Sequence, residues 1–146
     1  KHMGKKRIAT QEGQLVDTQA RVRGVVRTTK KKVTTCILAI EATFNNTKAV
    51  VSDPKGNVLF WSSSGSLGFK GAKKGTPFAA SKVGEVLAEK ATAAGIKEAH
   101  ALIKGVGSGR EPLVRAFIAT GIDLLSVKDQ TPVPHNGPKA KKPRRV

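Results

Sequence analysis

Apolar residues recur with a regular spacing only in the middle of this 146-residue chain, between Val33 and Val127. On either side, residues 1–32 and 128–146 are polar and basic, and they lack an apolar period that could form a core. Segments of that composition cannot offset the entropy that is lost when a chain becomes ordered. We therefore predict one folded domain at 33–127, with a basic amino-terminal arm and a basic, proline-rich carboxy-terminal tail.

Inside the domain, the spacing of the apolar residues changes from a strand period to a helix period. The first three apolar runs are short, rich in β-branched residues and separated by Asn, Pro and Gly, as in an antiparallel meander. Two later runs of the same kind are separated by helical patterns. The predicted strands are 33–44, 48–52, 58–62, 99–104 and 122–127.

Two helices are predicted between the last three strands. Thr76-Pro77 is a typical helix start, and the apolar spacing that follows runs to Gly95. The second helix follows Ser108, whose spacing to Glu111 matches a capping box. The order βββαβαβ predicts an α/β fold, with a mixed five-stranded sheet, helices packed on it and right-handed crossovers between the later strands.

The net charge of +17 is concentrated at the two ends of the chain. Residues 1–33 carry ten Lys/Arg and two acidic residues, residues 34–127 carry eleven and seven, and residues 128–146 carry six and one. Lysine and arginine side chains on segments without a core bind favourably to a phosphate backbone, because they release its counterions. An anionic membrane surface would also attract them. Both ends are therefore predicted to bind a polyanion.

Other features of the composition narrow the class of protein. No run approaches the roughly 20 apolar residues of a membrane span, and we see no charged-then-apolar leader, so we expect a soluble, unexported protein. The single cysteine, Cys36, lies in an apolar strand, which predicts a buried thiol in a reducing compartment.

Two glycine-rich segments are candidates for nucleic-acid contact. The loop 62–75 combines four glycines, three lysines and Phe69 next to a helix start, or it is a flexible surface loop with Phe69 in the core. The turn Gly105-x-Gly-x-Gly-Arg110 can cradle a phosphate with backbone amides, or it is only a tight turn. Its spacing differs from a dinucleotide fingerprint, and it lacks the Lys-Ser/Thr of a nucleoside triphosphate loop.

The acidic residues and histidines argue against an enzyme. A βββαβα order also occurs in ribonuclease H-like nucleases, which hold two metal ions with clustered carboxylates. Here the acidic residues are scattered, with only Glu41 on the first strand, and the three histidines lie apart. We therefore predict no enzyme activity, no metal and no cofactor. A general DNA-compacting protein fits the charge but not the glycine-rich loops.

Five blocks of the sequence occur in order with the spacing of a known family: Phe44-Asn-Asn-Thr47, Gly68-Phe-Lys-Gly-Ala-Lys-Lys74, Thr76-Pro-Phe-Ala-Ala80, Lys104-Gly-Val-Gly-Ser-Gly-Arg-Glu111 and Thr131-Pro-Val-Pro-His-Asn-Gly137. From about Thr34 to Val146 the chain resembles the universal small-subunit ribosomal protein eleven family in its bacterial form. The arm before Lys32 matches weakly. The resemblance implies a ribonuclease H-like three-layer domain without catalysis.

The resemblance also implies a place and partners. It implies a structural constituent of the small ribosomal subunit platform, supporting subunit assembly and translation. We expect cytoplasmic ribosomes, with the ribosomes of an organelle as the alternative. The expected partners are small-subunit rRNA and the platform ribosomal proteins seven and eighteen, with mRNA nearby in the exit cleft where the Shine-Dalgarno duplex lies. No membrane contact and no homo-oligomer are expected.

The family's RNA-facing positions, carried over by the resemblance, fall in four segments of this chain. They are Asn45, Asn46 and Thr47 in the first turn; Ser66, Gly68, Phe69, Lys70, Gly71, Lys73 and Lys74 in the long loop; Gly107, Gly109 and Arg110 in the glycine turn; and His135, Asn136, Gly137, Arg144 and Arg145 in the tail.

The tail departs from the family's pattern after Gly137. The family usually continues Cys-Arg-Pro-Pro, whereas this chain continues Pro138-Lys-Ala-Lys-Lys-Pro143. Lysine keeps the charge but lacks the planar fork of arginine. The dipeptide Asn136-Gly137 is also prone to deamidation and isoaspartate formation, a modification that the resemblance implies.

Overall fold

The computed structural model describes residues 32–143, which form five strands and two helices in the predicted order. These are β1 Thr35–Ala42, β2 Thr47–Ser52, β3 Val58–Ser63, α1 Pro77–Ala93, β4 Glu98–Lys104, α2 Arg110–Ile118 and β5 Asp123–Asp129. A short 3-10 turn, Gly71–Gly75, precedes α1. The predicted arm at 1–32 lies outside the described residues, apart from Lys32.

The strands form one mixed sheet in the order β3-β2-β1-β4-β5. The pairs β1–β2 and β2–β3 are antiparallel, whereas β1–β4 and β4–β5 are parallel. The predicted α/β fold with a mixed five-stranded sheet is therefore confirmed.

Both helices lie on the same face of the sheet. The connections through α1 and α2 cross the sheet in the same direction, and right-handed crossovers then place their helices on one face. The helices accordingly pack against each other, with Gly84 of α1 facing the backbone of Leu113 in α2. Of the three expected layers, the described residues show two, one sheet and one layer of helices.

The core fills the space between this helical layer and the sheet. Along β1, the side chains of Cys36, Leu38 and Ile40 are at most 1% exposed and alternate with partly exposed residues, as expected for a strand with one covered face. On α2, Leu113 and Phe117 are fully buried against them. Burying each such large apolar side chain stabilises the fold by about 1.5–3 kcal/mol.

The two helices begin differently. The side chain of Thr76 accepts a hydrogen bond from the amide of Ala79 at 3.3 Å, which confirms the predicted helix start. The predicted capping box at Ser108 is wrong, because α2 begins at Arg110 and Gly109 is its N-cap. The Ser108 hydroxyl instead donates to the carbonyl of Gly75 at 2.8 Å, a contact between distant segments that local spacing does not reveal.

Two further features are the length of β5 and the burial of the cysteine. Strand β5 runs to Asp129, two residues beyond the predicted domain boundary, and the amide of Gln130 still donates to the carbonyl of Ile103 at 2.8 Å. Cys36 is fully buried, and burial raises the pKa of its thiol to about 11. Within residues 32–143, no helix is long and apolar enough to cross a membrane.

The contact at Gly84 generates a prediction about stability. In a Gly84→Ala variant, the new Cβ would lie 2.6 Å from the carbonyl oxygen of Leu113 and 2.9 Å from the Cβ of Ala116, so the helices must move apart. We expect the free energy of unfolding, measured with denaturant, to fall by about 1–3 kcal/mol, even though alanine favours helix. The exposed Glu89→Ala on the same helix is the control, with a change of about 0.5 kcal/mol or less. An unchanged or increased stability of Gly84→Ala would contradict the packing.

Candidate nucleic-acid interface

All the glycine-rich segments meet at one end of the sheet. Strands β1, β3, β4 and β5 run in the same direction, so the segments that follow them emerge together, at the end where α1 and α2 begin. We call this surface the loop end: it consists of the turn 43–46, the long loop 64–76, the glycine turn 105–109 and the segment 130–137. In open α/β sheets, the carboxyl ends of the strands are the usual place for a ligand.

The loop end is basic. The turn 43–46, the long loop and the glycine turn together contain three lysines and no acidic residue. At this end of the sheet, the acidic residues of the strands and of α2 each pair with a basic side chain, as in Glu41 with Lys48 at 2.7 Å. The other two such pairs are Asp129 with Arg110 and Glu111 with Arg115. The carboxylates near the loop end are thus already paired, whereas Lys70 and Lys73 are exposed.

The opposite end of the sheet has a more balanced charge. We call it the far end: it consists of the turn 53–57 and the segments 94–97 and 119–122. The far end and the residues that adjoin it carry three lysines and several carboxylates, namely Lys55, Lys90, Lys97, Asp53, Glu98 and Asp123. The described domain is therefore electrostatically polar, with its excess of positive charge at the loop end.

Glycines allow the segments of the loop end to touch through their backbones. The amide of Gly107 donates to the carbonyl of Ala42 at 2.9 Å. A Cβ on Gly107 would collide with the carbonyl of Thr43, and one on Gly75 would collide with the carbonyl of Phe44. Gly105 has a φ of +96°, a conformation that side-chain-bearing residues rarely adopt. The glycine turn is thus tight, and it is also packed against the turn 43–46.

The predicted site residues divide into three groups by their exposure. The exposed ones are Asn45, Ser66, Gly68, Lys70, Gly71, Lys73, His135, Asn136 and Gly137. The half-buried ones are Asn46, Phe69, Lys74 and Arg110. The buried ones are Thr47, Gly107 and Gly109, which hold neighbouring segments in place and do not reach the surface. Arg144 and Arg145 lie outside the described residues.

The turn 43–46 is held by its own hydrogen bonds. The amide and hydroxyl of Thr43 both donate to the carbonyl of Asn46, at 2.9 and 3.0 Å. Within the described residues, the Asn46 Oδ1 and Thr47 Oγ1 atoms are buried without a hydrogen-bond partner. The Thr47 hydroxyl lies against Gly109, where a Cβ would collide with it. Asn45, by contrast, is exposed at the tip of the turn.

The long loop is anchored at its start and in its middle. The amide of Ser64 donates to the carbonyl of Thr47 at 2.9 Å, and the hydroxyl and amide of Ser66 bond with Ser63. Phe69 packs edge-on against Phe78 of α1, with ring centroids 6.1 Å apart. The loop therefore folds back on the start of α1, and Phe69 is half-buried there and not inserted into the core.

Arg110 has partners within the protein, which the sequence did not reveal. Its guanidinium donates to the carbonyl of Gly105, to the carboxylate of Asp129 and, at 3.3 Å, to the hydroxyl of Thr131. The hydroxyl and amide of Thr131 also bond to Asp129, and together with Arg110 they lower the pKa of that carboxyl to about 2. Arg110 thus joins the glycine turn to the start of the tail, with its side chain still 31% exposed.

Sequence reasoning missed two exposed aromatic rings at the loop end. Phe44 is 76% exposed and Phe78 is 63% exposed. The helical spacing contained the signal for Phe78, because residue 78 shares a helix face with Lys82, Glu85 and Glu89, whose charged side chains favour solvent. Phe44 lies in the predicted strand 33–44 and continues its buried alternation, but β1 ends at Ala42, so the ring leaves the covered face of the sheet and is exposed.

The acidic residues of the described domain are as scattered in space as they are in the sequence. Glu41 pairs with Lys48 across the first two strands. Among residues 32–143, no three His, Cys, Asp or Glu side chains come together in a way that could hold a metal ion.

The comparison with known proteins decides the family. The family model described as ribosomal protein S11 matches residues 36–145, well over half of the chain. The chain belongs to the ribosomal protein S11 family. Two relatives, both called small ribosomal subunit protein uS11, come from Chlamydia trachomatis serovars L2 and L2b. Each is 42% identical over 132 residues, covering 90% of this chain and 100% of the relative. The resemblance found in the sequence blocks is confirmed.

In this S11-family protein, the Asp129 pair generates a prediction about pH. The folded-state pKa of about 2 lies below the ordinary value of 3.8, so the carboxylate stabilises the fold above about pH 4 and loses that effect as the pH falls toward 2. We expect Asp129→Asn to lower the free energy of unfolding near neutral pH, and the difference from wild type to shrink through that acidic window.

Urea unfolding at a series of pH values measures this difference. Asp123→Asn is the matched control, since Asp123 lies on the same strand and its side chain makes no hydrogen bond to the described residues. A difference between wild type and Asp129→Asn that stays constant down to pH 2 would contradict the stabilising role of the carboxylate.

Proposed function

We propose that this protein is a structural rRNA-binding constituent of the small ribosomal subunit, and that the loop end is its main rRNA-binding surface. Family membership gives the protein a structural role in the ribosome. One observation supports the assignment of the surface. Exposed lysines and glycine-packed loops converge at one end of the sheet, where the nearby carboxylates are already paired.

The proposed mechanism combines charge neutralisation with shape. Lys70, Lys73 and Lys74 displace counterions from closely spaced phosphates, and each such contact makes binding more dependent on salt. The hydrogen bonds of the long loop and the glycine turn limit where these cations can go. Because the loop then loses little conformational freedom on binding, a few cations on it give an affinity for which a flexible segment would need many cations.

The tail extends this surface. Its first residues are fixed by Thr131, which bonds to Asp129, Gly105 and Arg110. From there residues 132–143 are exposed, and they include His135, Asn136 and three lysines. We propose that the tail, with Arg144 and Arg145 beyond it, follows the phosphate backbone away from the loop end.

The remaining elements of the proposal come from the family resemblance. They are a place on the platform of the small subunit in cytoplasmic ribosomes, contacts with ribosomal proteins seven and eighteen, and mRNA nearby in the exit cleft. In this proposal the protein has no catalytic role, and it supports subunit assembly and translation.

The role of the loop-end lysines is tested by the salt dependence of rRNA binding. We expect the double variant Lys73→Ala/Lys74→Ala to bind small-subunit rRNA more weakly than wild type. In a plot of log affinity against log salt, its slope should be shallower by about 1 to 2. Filter binding over a range of salt concentrations gives both quantities.

The far end supplies the matched control. Lys55→Ala/Lys97→Ala removes the same charge from the opposite end of the sheet and should leave the slope nearly unchanged. Equal effects of the two double variants would show that net charge alone drives binding, and the assignment of the loop end would then be refuted.

A further inference from the structure

Two phenylalanine residues, one in the loop end and one beside it, are mostly exposed. Phe44 is 76% exposed in the turn 43–46, and Phe78 is 63% exposed at the start of α1. The backbone of Phe44 touches Gly75, three residues before Phe78, so both residues belong to the same surface. Large apolar side chains that stay in water near one another often mark an interaction site.

The ring of Phe78 is held in position although it is mostly exposed. Phe69 meets it edge-on, with 6.1 Å between the ring centroids and 81° between the planes. The Nζ atom of Lys82 lies 5.7 Å from the centroid of Phe78 and also bonds to Glu85 at 2.7 Å. A ring fixed by two neighbours loses little freedom when a ligand packs on it.

The surroundings of the rings favour RNA as the partner. Two exposed valines, Val106 and Val133, also lie on the loop end. The loop beside the rings, however, contributes Lys70, Lys73 and Lys74 and no acidic residue. The carboxylate of Glu85, near Phe78, is paired with Lys82. Rings set among cations are the arrangement that binds a nucleic acid through its bases and its phosphates together. A regular RNA duplex hides the faces of its bases, so only an unpaired base can use a ring.

We propose that Phe44 and Phe78 stack on unpaired nucleobases of the bound RNA, in a loop, a bulge or a single-stranded end. This inference rests on the proposed rRNA-binding function and adds the structural class of RNA that the loop end recognises. In this arrangement the rings select exposed bases, and the lysines of the long loop neutralise the phosphates on either side of those bases.

The test uses the full chain and two synthetic RNAs with the same number of phosphates. One is a hairpin with an unpaired adenosine loop that contains the fluorescent base 2-aminopurine, and the other is a fully paired duplex. At matched salt, we expect wild type to bind the hairpin about tenfold more tightly than the duplex, because stacking adds to the phosphate contacts. Binding should also quench the 2-aminopurine fluorescence.

The variants separate stacking from general apolar contact and from folding. Phe78→Leu and Phe44→Leu keep an apolar side chain but lose the ring, so each should lose much of the preference for the hairpin while binding the duplex as before. Phe78→Tyr should retain the preference and the quenching. Trp61→Leu is the control, because Trp61 is 60% exposed on β3 and lies outside the loop end.

The outcomes distinguish this inference from the function on which it rests. If neither RNA binds in a salt-dependent manner, the proposed rRNA binding itself fails. If both RNAs bind with equal affinity, or if the leucine variants keep the preference and the quenching, only the stacking proposal fails. The stacking proposal also fails if Phe78→Leu binds RNA normally but is excluded from assembling subunits, since the ring would then contact a protein.

Discussion

The backbone contact between the glycine turn and the end of β1 is the constraint on which the loop end depends. The amide of Gly107 donates to Ala42. Gly107 approaches Thr43, and Gly109 approaches Thr47, so closely that no side chain fits between them. Ser108 adds a hydrogen bond to Gly75, which ties the long loop into the same cluster. Three segments from distant parts of the sequence are thereby fixed relative to one another, and one of them, the long loop, carries the three lysines.

This constraint explains how a modest charge can define the proposed binding surface. The domain 34–127 has only four more basic than acidic residues, and at the far end the two kinds of charge are balanced. At the loop end the nearby carboxylates are paired, so Lys70, Lys73 and Lys74 dominate the local field. A phosphate backbone is attracted to the place where the field is concentrated and the amides are held rigid.

Periodicity predicted most of the fold, because burial on one side of a sheet or helix leaves a local signature. The alternation along β1 and the start of α1 at Thr76 and Pro77 were both readable from the sequence. Contacts that join distant segments could not be predicted from the sequence. Ser108 bonds to Gly75 and not to its own helix, and Arg110 bonds to Asp129 and Thr131, because the sheet topology brings those residues together.

The candidate site was predicted at the level of segments better than at the level of side chains. All the segments singled out within the described range do meet at one end, since parallel strands deliver them there. The exposure of the side chains differs from the prediction. Thr47, Gly107 and Gly109 are buried beneath the surface and support it, whereas Phe44 and Phe78 are exposed on it. The burial of these residues is determined by contacts between loops and not by a strand or helix period. A single sequence does not show such contacts, so it does not show how deeply these residues lie.

We propose that the loop end, and not the far end, faces rRNA. Lysine acetylation of the free protein and of the protein bound to small-subunit rRNA, read by mass spectrometry, tests it most directly. We expect Lys70, Lys73 and Lys74 to become protected from acetylation on binding, and Lys55, Lys90 and Lys97 to remain as reactive as in the free protein. Protection of the second group with continued reactivity of the first would contradict it.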